Sequence, residues 1–490
     1  MIRHRTSRRS FLKGSLSVAA GSLLITGTKA TGDFRGANDA IRMAIAGING
    51  RGTAHIGEFG GMPDVQIAYL ADPDSRLFPS RLKLVENKSK AGLKPKTVQD
   101  IRVALDDKNV DAISIATPNH WHSLLTIWGC QAGKDVYVEK PCSHNIHEGR
   151  IAVETARKNN RIVQHGTQSR SNGGDQKVMA AIASGKLGKL LVSRGLCYKP
   201  GAPGKETTRV DIGFKPPEDP PAELNFDIWL GPAPQQAYHR NIVHYRWHWF
   251  WDFGNGDIGN QGVHEMDKAR WAIPDATMPK SVISFGGRFG NKDQAQVPNT
   301  QVAILDYGDT QLIFEVRGFK SEPYMGESVG NVYHLEAGTI RGTKFYPTGS
   351  DKAAPLPEID VEKRPGNGNF GNFIAAVRSR KIEDLNAEIL QAHLSCIPIH
   401  LANASYRLGE TVPFNPKTKA FGEDKEAYDA LARMEEHLSA GAGLKLDGID
   451  YCLGKRLTFD AKSERTGDAK ADEILRGTYR KGYEVPEAVA

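Results

Sequence analysis

Cysteine is scarce in this sequence. The 490 residues hold five, at Cys130, Cys142, Cys197, Cys396 and Cys452, with no C-x-x-C pair. That pattern gives neither a disulfide framework nor a zinc site and is expected to leave buried free thiols. Long apolar runs are also missing past the N-terminus, and mean hydropathy is −0.44, so no stable membrane span is expected after processing. The body has no basic run either. The formal charge is +7, but Arg3, Arg5, Arg8, Arg9, Lys13 and Lys29 all lie in the first thirty residues, which contain no acid. Without them about +1 is left, too little for the dense Lys/Arg footprint that nucleic acid requires. Repeats and low-complexity segments are absent. At 39% hydrophobic and 25% charged, the chain is long enough for two or three domains with sizeable cores.

What is present begins with a leader, residues 1–30. It reads Ser7-Arg8-Arg9-Ser10-Phe11-Leu12-Lys13, then a mild stretch from Gly14 to Gly27 rich in Ser, Ala and Gly. A charged segment followed by a short apolar one is a secretory signal, too short for a membrane helix. The paired arginines before Phe-Leu-Lys look like a twin-arginine signal. That predicts a periplasmic or otherwise extracytoplasmic protein, with the twin-arginine machinery as a partner.

From Ala40 to Gln164 short β-branched runs alternate with helical stretches. Residues 41–46, 65–70, 112–116 and 136–138 read as strands, each followed by a turn and a helical pattern, the rhythm of a doubly wound parallel sheet. After Gly166 the runs are longer and alternate: 190–198, 281–285, 301–307, 311–316 and 331–335. They predict an α/β domain with an open, largely antiparallel sheet that keeps one wet face. Residues 199–221, rich in Pro, Gly and Lys, read as a long excursion; 373–380 and 389–408 read as helices. The domains are therefore placed at 38–165 and 166–415. Residues 416–490 form an extension that wraps the domain or a neighbouring subunit.

The first strand runs straight into Gly47-Ile48-Asn49-Gly50-Arg51-Gly52. Glycines belong there because the backbone must turn sharply and approach a pyrophosphate set on a helix N-terminus. The spacing departs from G-x-G-x-x-G, with Asn49 at the second glycine; Asn tolerates positive φ. Strand two ends in Leu70-Ala71-Asp72, twenty residues beyond Gly52, where an acid binds ribose hydroxyls. Asp72 would repel a 2′-phosphate and so favours NAD over NADP, although nearby Arg76 could offset that repulsion. Strands three and four end in Thr117-Pro118-Asn119-His120-Trp121-His122 and Glu139-Lys140-Pro141. Polar residues gathered at the C-terminal ends of parallel strands mark the ligand crevice of such sheets.

These motifs, with Gly185-Lys186-Leu187-Gly188 and Gly254-Asn255-Gly256-Asp257-Ile258-Gly259-Asn260-Gln261-Gly262-Val263-His264, resemble the Gfo/Idh/MocA family, which includes glucose–fructose oxidoreductase and inositol dehydrogenases. The resemblance covers most of 41–413. It implies a Rossmann domain joined to an α/β domain whose sheet walls the active site and often forms an oligomer interface, so a homo-oligomer is expected. It also implies hydride transfer between nicotinamide and a sugar or polyol carbon. Lys140 falls at the family's proton-handling lysine, and a lysine beside a cationic cofactor is expected to have a depressed pKa. With the glycine-rich turn and Asp72, the residues Arg51, Thr117, Pro118, Asn119, His122, Glu139 and Lys140 are the candidate cofactor contacts. The later motif reads D-x-G-x-H in the family. Here His264 and Gly262 match, but Asn260 replaces the acid, and an amide cannot accept a proton. That leaves His264 or Lys140 as the base.

An aromatic cluster, His244-Tyr245-Arg246-Trp247-His248-Trp249-Phe250-Trp251-Asp252, adjoins this motif. Aromatic faces pack on the apolar patches of sugar rings, so Arg246, Trp247, Trp249, Trp251 and Tyr198 are candidate substrate contacts, set against a plain core role. His239, His244 and His248 lack an H-E-x-x-H or cysteine partner, and no metal is expected. Outside the cytoplasm free dinucleotide is not supplied, so NAD is expected to be held tightly and recycled. Two further functions stand beside a sugar or polyol oxidoreductase. One is a glycosidase that uses NAD through a transient 3-keto sugar; the other is a non-catalytic sugar-binding protein.

Overall fold

The computed structural model describes residues 40–89, 94–200, 211–274 and 278–489. The expected export leader lies outside them. Six parallel strands form the first sheet: β1 (Ile41–Ala46), β2 (Val65–Ala71), β3 (Lys96–Val98), β4 (Ala112–Ile115), β5 (Asp135–Val138) and β6 (Val163–His165). Their order is β3-β2-β1-β4-β5-β6. At three residues each, β3 and β6 are too short to show a period in sequence. The order reverses between β1 and β4, and their C-terminal ends open the crevice where such sheets bind ligands.

Alternation along these strands builds two cores. Ala44, Ala46, Ile113, Ile115, Val136 and Val138 face the helices His122–Gln131 and Ile146–Lys158. Ile41, Met43, Val65, Ala112 and Tyr137 face the other way, under Phe59 and a helix from far down the chain, Gly368–Ser379. Phe370 of that helix stacks on Tyr137 with ring centroids 4.8 Å apart. A segment assigned by sequence order to the second domain thus covers the first sheet.

Ten strands form the second sheet: β7 (Leu190–Tyr198), β8 (Ser281–Gly287), β9 (Thr300–Asp306), β10 (Gln311–Arg317), β11 (Val329–Leu335), β12 (Gly338–Arg341), β13 (Lys344–Pro347), β14 (Glu410–Pro413), β15 (Asp450–Leu453) and β16 (Leu457–Thr458). They run β13-β12-β11-β7-β10-β9-β8-β15-β14, with β16 also on β8. Only β7 and β10 pair in parallel. On the inner face Ala303, Leu305, Leu312 and Phe314 join the core of the helices Val263–Trp271 and Ile389–Arg407.

The outer face differs from expectation, because it is not wet. Val192, Ile283, Phe285, Val302, Ile304 and Ile313 are buried under Phe414, Phe421 and the helix Lys425–Glu436, which supplies Ala427, Ala430, Leu431 and Met434. The alternation was legible, but the outward set includes a large apolar group as well as the buried ion pairs of Glu315 with Arg194 and Arg317, so it required a cover. The chain's own C-terminal segment supplies it. Beyond β16 the helix Ala469–Arg476 returns to the first domain, where Ala471 and Leu475 join the main core. Tyr483 then packs edge-on to Trp121 with centroids 5.6 Å apart. The extension therefore wraps its own chain. Among the described residues no helix is long and apolar enough to cross a membrane.

Candidate active site

A cleft of about 520 Å³ opens at the ends of β1 and β4. Its first wall is the glycine-rich turn. Gly47 has φ +77°, and a Cβ there would stand 2.7 Å from the main chain of Ala116 and Thr117. A Cβ on Gly52 would stand 1.9 Å from the carbonyl oxygen of Gly47. Both positions therefore require glycine. The positive φ expected of Asn49 falls on Gly50 instead, at +41°. The Asn49 side chain accepts from Arg81 Nη2 at 3.3 Å. The helix Arg51–Gly60 begins here with no side-chain cap and no acid in its first turn, so its N-terminal dipole faces the cleft uncompensated.

Asp72, at the end of β2, is buried and lines the cleft. One carboxylate oxygen accepts from Ile48 N at 2.9 Å and the other from Asp74 N at 3.0 Å. Burial pushes its pKa up, against those two bonds. Arg76 does not approach Asp72: it bonds bidentately to Asp74, through Nε at 2.7 Å and Nη2 at 2.5 Å, and it does not line the cleft. No free cation is thus directed at a 2′-phosphate by this loop.

On the floor, Glu139 is fixed by Arg51 Nε at 2.8 Å and His55 Nε2 at 2.9 Å. A carboxylate only accepts, so Nε2 carries the His55 proton, and Nδ1 takes its bond from Ser114 Oγ at 2.6 Å. Burial opposes the charge on Glu139, but His55, Arg51 and Lys140 outweigh it and hold the carboxyl well below its usual range. His55 and Ser114 were not expected from the sequence; a histidine at helical spacing after a glycine turn carries no signal of its own. His122 stands between the carbonyl oxygens of Pro141 (2.6 Å) and Thr117 (2.8 Å), and burial pushes its pKa down. It joins the two strand-end loops that form the floor.

Lys140 is half-buried, and burial is the main cause of its lowered pKa. Its Nζ donates to the main-chain carbonyl of Asn260 at 2.5 Å. Asn260 lines the cleft, but toward Lys140 it acts through its backbone, not its amide. His264, in the first turn of the helix Val263–Trp271, is not among the residues that line the cleft and makes no side-chain hydrogen bond among the described residues. Burial, then Lys140, push its pKa down to about 3, so the ring is neutral with a free lone pair. Glu265, which follows it, is pushed up to about 7 by burial.

The aromatic cluster divides. Trp247 lines the cleft with His244 and Tyr245, and His244 Nε2 lies 2.8 Å from Asp74 Oδ2. Trp249 does not reach it; the ring is fully buried in a satellite core. Trp251 lines a different pocket, under Arg407. Arg246 is occupied by Ile212 O and Asn241 Oδ1, both at 3.0 Å. Tyr198 points to the outer face of the second sheet, where its hydroxyl donates to Glu315 at 2.8 Å; strand alternation puts it on the side away from the cleft. In their place Trp121, Ile228, Trp229 and Tyr483 supply apolar surface. They come from three distant parts of the chain, and no local pattern groups them. His239, His244 and His248 do not converge: His248 Nδ1 meets Tyr245 O at 2.8 Å and His239 packs on Phe250.

The residues present fit a dinucleotide. The cradle needs two glycines, a bare helix start faces the cleft, and an acid, Asp72, is fixed in the cleft at the end of β2. Thr117 Oγ1 and Asn119 Oδ1 are buried without a protein partner.

Comparison with known proteins agrees. The profile described as "Oxidoreductase family, NAD-binding Rossmann fold" matches residues 41–167, and "Oxidoreductase family, C-terminal alpha/beta domain" matches 208–440. Among curated relatives, a myo-inositol 2-dehydrogenase of Thermotoga maritima is 28% identical over 174 residues, 36% of this chain and 50% of the relative. A glycosyl hydrolase family 109 protein of Shewanella sp. strain W3-18-1 is 23% identical over 209 residues, 38% of this chain and 45% of the relative. The chain thus spans half or less of these relatives' length. Among solved structures, the WlbA dehydrogenase of Bordetella pertussis, in complex with NADH and UDP-GlcNAcA, aligns with TM-score 0.51 at 19% identity. That alignment covers 74% of this chain and 95% of the other.

Proposed function

The chain belongs to the Gfo/Idh/MocA oxidoreductase family, an NAD-dependent one, and from that premise we propose that it oxidises or reduces a sugar, sugar derivative or polyol at a hydroxyl-bearing carbon. The observation that carries this reading is the position of Lys140, a lysine with a lowered pKa on the floor of a dinucleotide cleft. NAD, when bound, supplies the hydride acceptor. Gly47, Gly52 and the start of the helix Arg51–Gly60 would hold its pyrophosphate, and Asp72 its ribose hydroxyls. Lys140 takes or returns the proton of the reacting hydroxyl, since burial of the ammonium favours its neutral form. The carbonyl of Asn260 aims Nζ, and Lys140 rather than His264 handles the proton, because the burial and the Lys140 charge that lower the His264 pKa disfavour its protonation. Trp247 and Tyr245 offer flat faces to a sugar ring.

The reading extends to location and turnover. The twin-arginine-like leader supports export with NAD already bound. His244 on Asp74 and Tyr483 on Trp121 bring distant segments over the cleft, which supports a cofactor that stays in place between turnovers.

Denaturing the purified full-length protein and identifying any released dinucleotide tests the premise. Assaying it against sugars, polyols and glycosides tests the substrate class. The expected result is bound NAD and a net change in NADH absorbance with a sugar or polyol. Release of an aglycone with no net NADH would replace this reading by the NAD-using glycosidase, which the family 109 relatives make the second candidate. Sugar binding with neither change would make it a binding protein.

A further inference from the structure

Behind the catalytic floor lies a second group of chemistry-bearing residues that the proposed reaction does not use. Cys142 follows Lys140 and Pro141, His165 ends β6, and Cys396 lies midway along the helix Ile389–Arg407. All three are buried, with exposures of 1%, 0% and 0%. Among the described residues they are the one group of three His, Cys, Asp or Glu side chains whose ligand atoms all lie within 4.8 Å of one another.

Two observations separate this group from ordinary core packing. The first is spacing. The Sγ atoms of Cys142 and Cys396 are 3.7 Å apart. Two thiolates on one tetrahedral zinc, with bonds of about 2.3 Å, stand roughly 3.8 Å apart. A disulfide needs about 2.05 Å; as thiols the two share a hydrogen bond at this distance, and as thiolates they can share a cation without moving. The second is His165, whose Nδ1 and Nε2 are both buried with no hydrogen-bond partner. A neutral imidazole carries one N–H and one lone pair, and a fully buried ring with neither satisfied is unusual. A disulfide between the cysteines would leave both nitrogens orphaned, whereas a cation would use the lone pair.

We propose that Cys142, His165 and Cys396 form a buried site for a thiophilic divalent cation of the zinc class. Charge supports the choice: two thiolates and a neutral imidazole around a divalent ion form a neutral unit, which an apolar interior tolerates. Each cysteine gives up its thiol proton to solvent as the metal enters, so two protons leave for one ion and no redox step is involved. Donor softness excludes magnesium and calcium, which take oxygen ligands. Among the described residues no fourth His, Cys, Asp or Glu joins the group, so the protein supplies three ligands. The site is a brace and not a catalytic centre. It ties the loop that carries Lys140 to β6 and to the long helix of the second domain.

The test uses the full-length protein purified without chelators. Elemental analysis is expected to give one zinc per chain. After metal stripping, added Co²⁺ is expected to give the sulfur-to-cobalt charge-transfer band of thiolate ligation and the visible bands of a tetrahedral site, and added Zn²⁺ to raise the melting temperature. Cys142→Ser and His165→Asn should lose the bound metal and the cobalt spectrum, while Cys130→Ser, at a buried thiol elsewhere, should keep both. If a site variant fails to fold, the unmodified protein still decides. Absence of metal and of a cobalt–sulfur band, with either five free thiols after denaturation or a mass loss of two hydrogens from a Cys142–Cys396 disulfide, overturns the proposal. None of these readouts depends on the substrate or on dinucleotide binding.

Discussion

Lys140 Nζ lies 2.5 Å from the main-chain carbonyl oxygen of Asn260. The residue that departs from the family's acid therefore holds the lysine through an atom every amino acid has. Replacing Lys140 by Met should remove roughly 100-fold or more of the turnover rate, the scale of a lost general acid–base group, and leave released NAD unchanged. Asn260→Ala keeps the carbonyl and should cost under about tenfold in kcat. Steady-state kinetics on both variants checks this. Equal losses would show that the Asn260 amide, and not its carbonyl, does the work.

The cradle at the end of β1 has no room for a side chain. A Cβ on Gly52 would stand 1.9 Å from Gly47 O, so Gly52→Val must push the turn from the helix. The expected cost is about 1–3 kcal/mol or more of stability, on the scale of overpacking, together with loss of bound dinucleotide. Thermal melts and dinucleotide content after purification measure the two. Gly50→Ala, where φ is +41° but nothing lies within 4 Å, should be milder on both.

His244 joins the aromatic cluster of the second domain to Asp74 at 2.8 Å, and Asp74 is buried. Loss of a hydrogen bond to a charged group costs about 1.5–3 kcal/mol. His244→Ala should therefore speed NAD release by roughly tenfold to a hundredfold, with a smaller effect on the rate of the first turnover. Displacement of bound NAD by an excess of competing dinucleotide, followed over time, gives the release rate. An unchanged rate would mean that the contact does not gate the cofactor.

Glu464 ties the C-terminal extension to the first domain through Arg150 and to the long helix of the second through His393 Nε2 at 3.1 Å. Burial works against its charge, but His393 and Arg150 outweigh that and lower the pKa from 4.5 to about 2. A depressed carboxylate contributes fully above its unfolded value. That stability is present above pH 4.5 and is lost as pH falls toward 2. Hydrogen exchange or limited proteolysis should show residues 457–476 loosening across that window, and Glu464→Gln should show them already loosened at neutral pH.

The helix Lys425–Glu436, with Phe414 and Phe421, covers the apolar outer face of the second sheet. Leu431→Ala, at 1% exposure, should cost about 2–5 kcal/mol by transfer and cavity terms together, read from the midpoint of denaturant unfolding. A polar replacement there, Leu431→Asp, should expose β8–β10 and promote association between copies.

Much was legible in the sequence because it is encoded locally. β-branched runs followed by helical periods specified the parallel sheet, since strand and helix periods differ and each shows within one window. Gly47, Gly52 and Asp72 could be read because a sharp turn at a strand end admits few residue types. Lys140 could be read because it follows one strand directly. Residues that meet across the fold could not. Trp121, Trp229, His244 and Tyr483 share a cleft although they come from four separate segments, and Tyr198 turns away from it because strand alternation, not proximity in sequence, decides the face. The extension's place was equally hidden: whether an apolar sheet face is covered by its own chain or by another depends on the path of the chain in space. The sequence by itself determined the cofactor class, through steric and charge requirements met within a few residues. Tertiary structure alone decided what encloses the cofactor, and that Cys142, His165 and Cys396 meet, because only folding brings such distant side chains within bonding distance.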